Sequence, residues 1–151
     1  MSLRVYRVCR AIHARLDGEG ASQVGGRWNS SGRAVVYMAQ SISLAVLENL
    51  VHMSKVDFPV GYVSVSALIP DEVNILTEDD VKKDLPYAGP QDLGDYWLAS
   101  LASAVLRVRS AVIPEEFNFL LNPRHPGFSQ IIAEPARAFV FDERLFQSAA
   151  R

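Results

Sequence analysis

Hydrophobic and polar residues alternate along two stretches of the chain, and this alternation predicts two β-strands. Residues 3–8 alternate so that Arg7 shares a face with Leu3 and Val5, and residues 61–68 alternate in the same way. Shorter apolar or extended runs predict further strands, at residues 34–38, 73–76, 105–113, 116–122 and 138–141. Many short strands with few helices indicate an α+β domain.

Helical spacing of apolar residues occurs in only two places. Residues 41–52 and 92–104 carry it, and Ser41 is placed to cap the first of these predicted helices. Residues 17–26 are rich in glycine and small polar residues, whereas residues 69–90 are acidic and contain three prolines. Both of these segments are therefore predicted to be loops, apart from the short strand within the second.

Glu48 lies on an unexpected face of the first predicted helix. At about 100° per residue, Leu44, Leu47 and Val51 form one stripe, and Glu48 projects beside it. A glutamate in that position is either partly desolvated or at the edge of a cavity. The alternative is an ordinary exposed pair with His52, one turn further on, which would contribute roughly 0.3–0.5 kcal/mol.

A glycine pair followed by an arginine precedes this helix, in residues 25–29. Gly26 lacks a β-carbon and lets the backbone approach a ligand closely, and Arg27 carries a planar cation suited to phosphate oxygens. Burying a charge is costly unless it is compensated, so Arg27 or a cationic ligand is expected near Glu48. Tyr37 follows in the next predicted strand, which brings an arginine, a tyrosine and a carboxylate together.

Composition restricts the classes of protein that fit. The chain has 151 residues, of which 49% are hydrophobic and 21% charged, with a net charge of -2, as expected for a single domain spanning residues 1–151. The lone Cys9 makes no internal disulfide, and the histidines lack metal-ligand spacing, so no metal site is expected. No apolar run is long enough for a membrane span, which favours the cytoplasm, and the near-neutral charge argues against direct binding of nucleic acid.

The ordered motifs of the chain resemble the RES family, which consists of bacterial toxins of toxin–antitoxin modules named for an arginine, a glutamate and a serine. The matching residues are Tyr6-Arg7, Gly18, Gly20-Ala21, Gly25-Gly26-Arg27-Trp28-Asn29, Gly32, Tyr37, Leu44-Ala45, Leu47-Glu48, Trp97, Ser110, Pro114-Glu115, Asn118, Leu120-Leu121-Asn122-Pro123, His125-Pro126 and Phe141-Asp142-Glu143-Arg144-Leu145. Family members usually have proline before the motif serine, where this chain has Arg109. The motif serine is therefore Ser110 or Ser103, and the downstream Pro114 and Asn118 favour Ser110.

The resemblance implies a fold and an activity. The fold is a single compact RES domain of short, mostly antiparallel strands, similar to the ADP-ribosyltransferase toxins, with a cleft for NAD as substrate. The implied activity is cleavage of the nicotinamide–ribose bond by phosphorolysis or hydrolysis, or transfer of ADP-ribose to a protein. The implied partner is a cognate antitoxin that has a helix-turn-helix DNA-binding region and covers the cleft.

The same resemblance implies roles for individual residues. Nicotinamide leaves as a neutral group, so the chemical need is a carboxylate, Glu48, beside the oxocarbenium-like ribose. Arg27, assisted by Arg7, is expected to hold the diphosphate. Tyr37 is expected to form a wall of the nicotinamide pocket, and Ser110 to hydrogen-bond a ribose or amide group rather than act as a nucleophile.

Gly26 and Asn118 complete the expected substrate-binding set, and several of these residues have structural alternatives. A single tyrosine in such a strand, as Tyr37 is, more often belongs to the core and has its hydroxyl hydrogen-bonded within the protein. Asn118 and Asn122 are suited to satisfying backbone groups at strand ends. Trp28 is expected to pack under the glycine-rich loop and to orient the adjacent arginine.

Three other functions are compatible with parts of the sequence. Mono-ADP-ribosylation of a specific protein would use the same cleft with a different acceptor. A ribonuclease toxin would use the arginines near both termini but needs a pair of groups poised for proton transfer. A noncatalytic nucleotide-binding or interaction module would bind NAD without releasing nicotinamide.

Overall fold

A computed structural model describes residues 2–147 of the chain as a curled β-sheet with helices packed against it. The strands are β1 (Leu3–Arg10), β2 (Val36–Ala39), β3 (Tyr62–Ile69), β4 (Ile75–Thr77), β5 (Val105–Arg109), β6 (Phe117–Leu121), β7 (Ile132–Ala133) and β8 (Arg137–Phe139). The helices are α1 (Glu19–Val24), α2 (Ile42–Leu50), α3 (Glu78–Lys82) and α4 (Pro90–Ser100), with 3₁₀ turns at Ala11–His13, Pro126–Gln130 and Glu143–Leu145.

Within residues 2–147 these strands form one sheet in the order β4-β5-β6-β2-β1-β3-β7, and β8 also pairs with β3. The pair β4–β5 is parallel and the other pairs are antiparallel. The predicted α+β class with mostly antiparallel strands is therefore confirmed.

The sheet opens between β1 and β2. β1 pairs with β3 along its whole length, but with β2 at only one register position, Tyr6 opposite Ala39. The two strands share no other ladder position, and residues of both strands line the cavity that contains the candidate site.

Three apolar clusters fix the sheet and its helices. One cluster covers one face of the sheet and includes Val5, Val36 and Leu121, none of which is exposed. A second places the indole of Trp97, on α4, among strand residues of β5 and β6. The third packs Leu44, on α2, against β1 and β2, and so fixes the helix that carries Glu48.

The structure corrects several predictions made from composition and periodicity. The predicted loop 17–26 contains α1, and the predicted loop 69–90 contains α3. Leu44 is buried as predicted, but the other two residues of the predicted stripe, Leu47 and Val51, are 39% and 56% exposed. The buried face of α2 consists of Leu44, Ala45 and Leu50, because only this face meets the sheet.

Candidate functional site

A cavity of about 1080 Å³ lies beside β1 and β2, which pair at a single position. Its walls come from β1, β2, β6, α1, α2 and the 25–28 loop, with further residues from β3, β5 and the turn after β5. The volume is at the upper end of the range of small-molecule pockets, roughly 300–1,000 Å³. Six of the predicted site residues line it, namely Arg7, Gly26, Arg27, Tyr37, Glu48 and Asn118.

Glu48 is half-buried and is held through one of its two carboxylate oxygens. Ser110 Oγ donates a hydrogen bond to Glu48 Oε2 at 3.1 Å, and Asn118 Nδ2 donates to the same oxygen. No donor within residues 2–147 bonds to the other oxygen, Oε1. The expected ion pair with Arg27 and the alternative pair with His52 are both absent from this part of the chain, so neutral donors hold the carboxylate in place.

Ser110 is buried, and its hydroxyl group uses all of its hydrogen-bonding capacity within the protein. The hydroxyl donates to Glu48 and accepts from the backbone N–H groups of Val112 at 3.1 Å and Ile113 at 3.0 Å. One donor and two acceptor positions are the full capacity of a serine. The alternative motif residue, Ser103, lies elsewhere and accepts a hydrogen bond from Trp97 Nε1 at 2.9 Å.

Tyr37 lines the cavity with its ring and organises the glycine-rich loop with its hydroxyl. The hydroxyl donates to Asn29 Oδ1 at 2.6 Å and accepts from the Trp28 backbone N–H at 3.0 Å. Burial raises the pKa of Tyr37 to about 12, because the phenolate would be poorly solvated there. A Cβ on Gly26 would lie 2.9 Å from this hydroxyl, so this position has no room for a side chain.

The fully buried Asn29 holds the loop from within. Its side-chain amide donates to the carbonyl groups of Ala21 at 2.8 Å and Arg33 at 2.9 Å. Trp28 is also buried, as predicted, and belongs to the apolar cluster under α4. The backbone of residues 25–29 is therefore fixed, while the Arg27 side chain projects from it.

Helix α4 clamps the same loop from the other side. Asp95 Oδ1 accepts from the Ser30 backbone N–H at 2.9 Å, and Gln91 Nε2 donates to the Asn29 carbonyl at 3.1 Å. A Cβ on Gly94 would lie 1.7 Å from the Trp28 carbonyl oxygen, so only glycine permits this contact between helix and loop. This helix, predicted over residues 92–104, runs from Pro90 to Ser100. Besides packing in the core it holds the glycine-rich loop in place, which its apolar spacing did not indicate.

Three arginines are among the residues that line the cavity, together with a single acidic residue, Glu48. Arg27 is exposed and forms no hydrogen bond or ion pair within residues 2–147, whereas Arg7 is half-buried and its buried Nε lacks a partner there. Arg109 is the third, and it was not among the predicted site residues. A cavity with this excess of positive charge is suited to an anionic ligand.

Asn118 has one amide atom free for a ligand. Its Nδ2 donates to Glu48, but its buried Oδ1 has no partner within residues 2–147. A buried acceptor without a donor costs roughly 1–3 kcal/mol, so a ligand N–H or O–H that reaches it would be stabilised. By contrast, Asn122 donates to the Leu98 carbonyl at 3.1 Å and accepts from the Arg124 backbone N–H at 3.1 Å, as the structural alternative predicted.

The described part of the chain contains neither a cluster of metal-ligating side chains nor a membrane-spanning helix. In residues 2–147 no group of three or more His, Cys, Asp or Glu side chains is arranged to hold a metal ion. None of the helices there is long and apolar enough to cross a membrane.

Fold and cavity together define an α+β domain in which one carboxylate and several arginines line a cleft. The chain belongs to the RES domain family, whose model matches residues 4–142, and this confirms the predicted family. The chain is 37% identical over 142 residues to the Prs ADP-ribosylating toxin of Sphingobium sp. strain YBL2, covering 89% of this chain and 88% of that protein. It is 36% identical over 151 residues to Toxin Res of Yersinia enterocolitica, covering 95% and 99% respectively.

A solved structure has the same fold at lower sequence identity. A chain in the crystal structure of the M. tuberculosis MbcT-MbcA toxin–antitoxin complex superposes with a TM-score of 0.64 at 20% identity. The match covers 93% of this chain and 85% of that one. At this identity the likeness establishes the fold.

Proposed function

We propose that this chain is an NAD-consuming toxin that cleaves the bond between nicotinamide and ribose, with phosphate or water as the acceptor. The observation that carries the proposal is Glu48, which has Oε2 held by Ser110 and Asn118 and Oε1 without a protein partner in residues 2–147. Such an arrangement presents one fixed carboxylate oxygen to a ligand in a cleft that also contains Arg7 and Arg27. Relatives that are named as toxins support the proposed role as a toxin.

Glu48 would act on the charge that develops during bond cleavage. The pyridinium of NAD takes up the electron pair of the breaking bond and leaves as neutral nicotinamide, so no general acid is needed. Positive charge builds up on the ribose, and a fixed carboxylate stabilises it or holds a ribose hydroxyl. Because the carboxylate is already oriented, little reorganisation is needed when the charge appears.

The other residues of the site would bind the substrate or hold Glu48 in position. The exposed Arg27 guanidinium projects from a rigid loop, and Arg7 lines the cavity from β1, so both are placed to hold the diphosphate. Ser110 acts through Glu48, because its hydroxyl has no capacity left for the substrate. The Tyr37 ring, backed by its two hydrogen bonds, would form a flat wall for the nicotinamide or the ribose.

The experiment that tests this proposal measures nicotinamide release. The isolated chain is incubated with NAD in the presence and absence of inorganic phosphate, and the products are separated chromatographically. Release of nicotinamide together with ADP-ribose or its phosphate ester is expected. Saturable NAD binding without any release would instead identify a noncatalytic module.

A second candidate function is transfer of ADP-ribose to a protein, and the name of the Sphingobium relative favours it. The same cleft and the same Glu48 would serve, with a nucleophilic side chain replacing phosphate or water. NAD labelled in its adenylate half distinguishes the two functions in a cell extract. Label that stays on a protein after denaturation indicates transfer, and label that is recovered only as small molecules indicates NAD depletion.

A toxin of this kind requires an antitoxin, and the toxin–antitoxin complex with the same fold supports this part of the proposal. We infer a cognate protein with a helix-turn-helix region that covers the cleft, and action on NAD in the cytoplasm. Expression of the chain alone should stop growth and lower cellular NAD. Co-expression with the product of the neighbouring reading frame should restore both.

A further inference from the structure

Asn49 ties the helix that carries Glu48 to strand β1. Its side-chain nitrogen, Nδ2, donates to the Val8 carbonyl at 2.7 Å and to the Ala45 carbonyl at 2.8 Å. Val8 belongs to β1 and Ala45 to α2, so one amide group joins the strand to the helix. Asn49 directly follows Glu48 in the chain, and it is among the residues that line the cavity.

This contact lies where β1 is no longer paired with β2. The two strands share a single ladder position, Tyr6 opposite Ala39. At Val8, two residues further along β1, no residue of β2 is paired with the strand, and α2 contacts it through the Asn49 amide. Apolar packing of Val8 against Leu44 brings helix and strand together, but such packing is non-directional. The hydrogen bond, which is directional, fixes how the helix is placed along the strand.

Glu48 is thereby anchored from two sides of the sheet. Its carboxylate is held by Ser110, which follows β5, and by Asn118, which lies on β6. Its backbone is next to Asn49, which is bonded to β1. Strand β2 lies between β6 and β1 in the sheet. The side chain and the backbone of Glu48 therefore depend on different strands, and Asn49 supplies the anchor on the β1 side.

The bond between Asn49 and Val8 also sets the spacing between two parts of the site. Arg7, which is proposed to help hold the diphosphate, precedes Val8 on β1. We propose that Asn49 is a positioning residue, which keeps Glu48 at its working distance from a substrate held on β1; this rests on the proposed cleavage of NAD. A displacement of about 1 Å can cost as much as about 10²-fold in rate, so a loosened helix lowers turnover.

The test replaces Asn49 with residues that cannot donate a hydrogen bond and measures initial rates of nicotinamide release. Asn49→Ala and Asn49→Leu both introduce strong helix formers, so neither weakens α2 as a helix, and leucine also preserves the side-chain volume. Turnover should fall by about five- to tenfold in both variants, the cost of losing one or two hydrogen bonds. The KM for NAD should stay within about twofold of the wild-type value, because Arg7 and Arg27 are unchanged.

The same substitutions in a Glu48→Gln background distinguish positioning from general support of the fold. A residue that acts through the Glu48 carboxylate loses its effect when that carboxylate is absent, so turnover should change by less than about twofold there. Loss of general structural support would lower turnover by the same factor in both backgrounds. Circular dichroism and thermal unfolding establish that each variant is folded at the assay temperature.

Lys55→Met is the matched control. Lys55 Nζ donates to the Leu50 carbonyl at 2.7 Å, at the end of the same helix, and Lys55 is not among the cavity-lining residues. The substitution removes a side-chain hydrogen bond from α2 without altering its tie to β1. Turnover of this variant should therefore stay within about twofold of the wild-type value.

The possible results separate the role of Asn49 from the function on which it rests. Wild-type turnover in both folded Asn49 variants would overturn the positioning role and leave NAD cleavage intact. An equal fall in the wild-type and Glu48→Gln backgrounds, or a fall of the same size in Lys55→Met, would overturn it as well. If the wild-type chain releases no nicotinamide under any condition, the proposed function itself fails, and the role of Asn49 fails with it.

Discussion

Replacing Glu48 with glutamine removes the negative charge while keeping the shape of the side chain. The amide oxygen of glutamine can accept the hydrogen bonds that Ser110 Oγ and Asn118 Nδ2 donate to Glu48 Oε2. The substitution therefore leaves both of these donors with a partner, which Glu48→Ala would not. It isolates the contribution of charge from that of packing.

The expected magnitude follows from the charge that develops in the transition state. A full positive charge about 4 Å from the carboxylate, at an effective dielectric constant of about 20, is stabilised by about 4 kcal/mol. The charge on the ribose is only partial, so a loss of roughly 2.7–4 kcal/mol is the relevant range, equivalent to a reduction of about 10²–10³ in turnover. The free energy of unfolding should change by no more than about 1 kcal/mol, because no donor is left unpaired.

The assay combines nicotinamide release at saturating NAD with thermal unfolding of the same samples. Turnover should fall by the stated factor, with little change in the KM for NAD, because Arg7 and Arg27, the residues proposed to hold the diphosphate, are untouched. A folded Glu48→Gln variant with turnover within tenfold of wild type would refute the electrostatic role assigned to this residue.

Three further predictions test the interactions that hold the residues of the site in place. Ser110→Ala should lower turnover by about fivefold while changing the KM for NAD little, because it frees Glu48 Oε2 from one donor of roughly 1 kcal/mol, and initial-rate kinetics measures both. Burial raises the pKa of Tyr37 to about 12, so the contribution of Tyr37 to the free energy of unfolding should be constant below the unfolded pKa of about 10 and fall by roughly 2 kcal/mol up to pH 12. Tyr37→Phe should lack this extra decline, and equal declines in urea titrations would contradict the role of burial. Gly94→Ala should destabilise the fold by about 3 kcal/mol or more, because its Cβ meets the Trp28 carbonyl, whereas Gly89→Ala, at an open position, should cost less than about 1 kcal/mol in the same titration.

Strong periodicity made parts of the fold predictable from sequence. The two alternating runs became β1 and β3, which pair along their full length, since a half-buried strand imposes a period of two on its residues. Ser41 caps α2 as predicted, with its Oγ accepting from the Leu44 backbone N–H at 3.1 Å. The RES family was also predictable, since the motifs that carry the resemblance span nearly the whole chain.

Short helices in polar segments were not predicted, because they lack an apolar face to show periodicity. α1 has six residues and α3 has five, too few to repeat a hydrophobic pattern. A signal for α3 was present in the sequence, because Thr77 and Asp80 form a capping box at its start. The prolines and acidic residues of this segment pointed instead to a loop.

The detailed geometry of the candidate site could not be predicted from the sequence, for a different reason. Glu48 is held by Ser110 and Asn118, which are 62 and 70 residues further along the chain. They reach Glu48 because β6 pairs with both β2 and β5, and no local pattern specifies that pairing. Helical geometry indicated that Glu48 was unusual, but it suggested an ion pair where the structure uses two neutral donors.

Nicotinamide release by the isolated chain is the most direct test of the account, which requires the cavity with Arg7, Arg27 and Glu48 to act on NAD. With NAD as the only dinucleotide present, release should be proportional to protein concentration and should continue over many turnovers. Intact NAD after prolonged incubation with the folded chain, both with phosphate and with candidate protein acceptors, would contradict it.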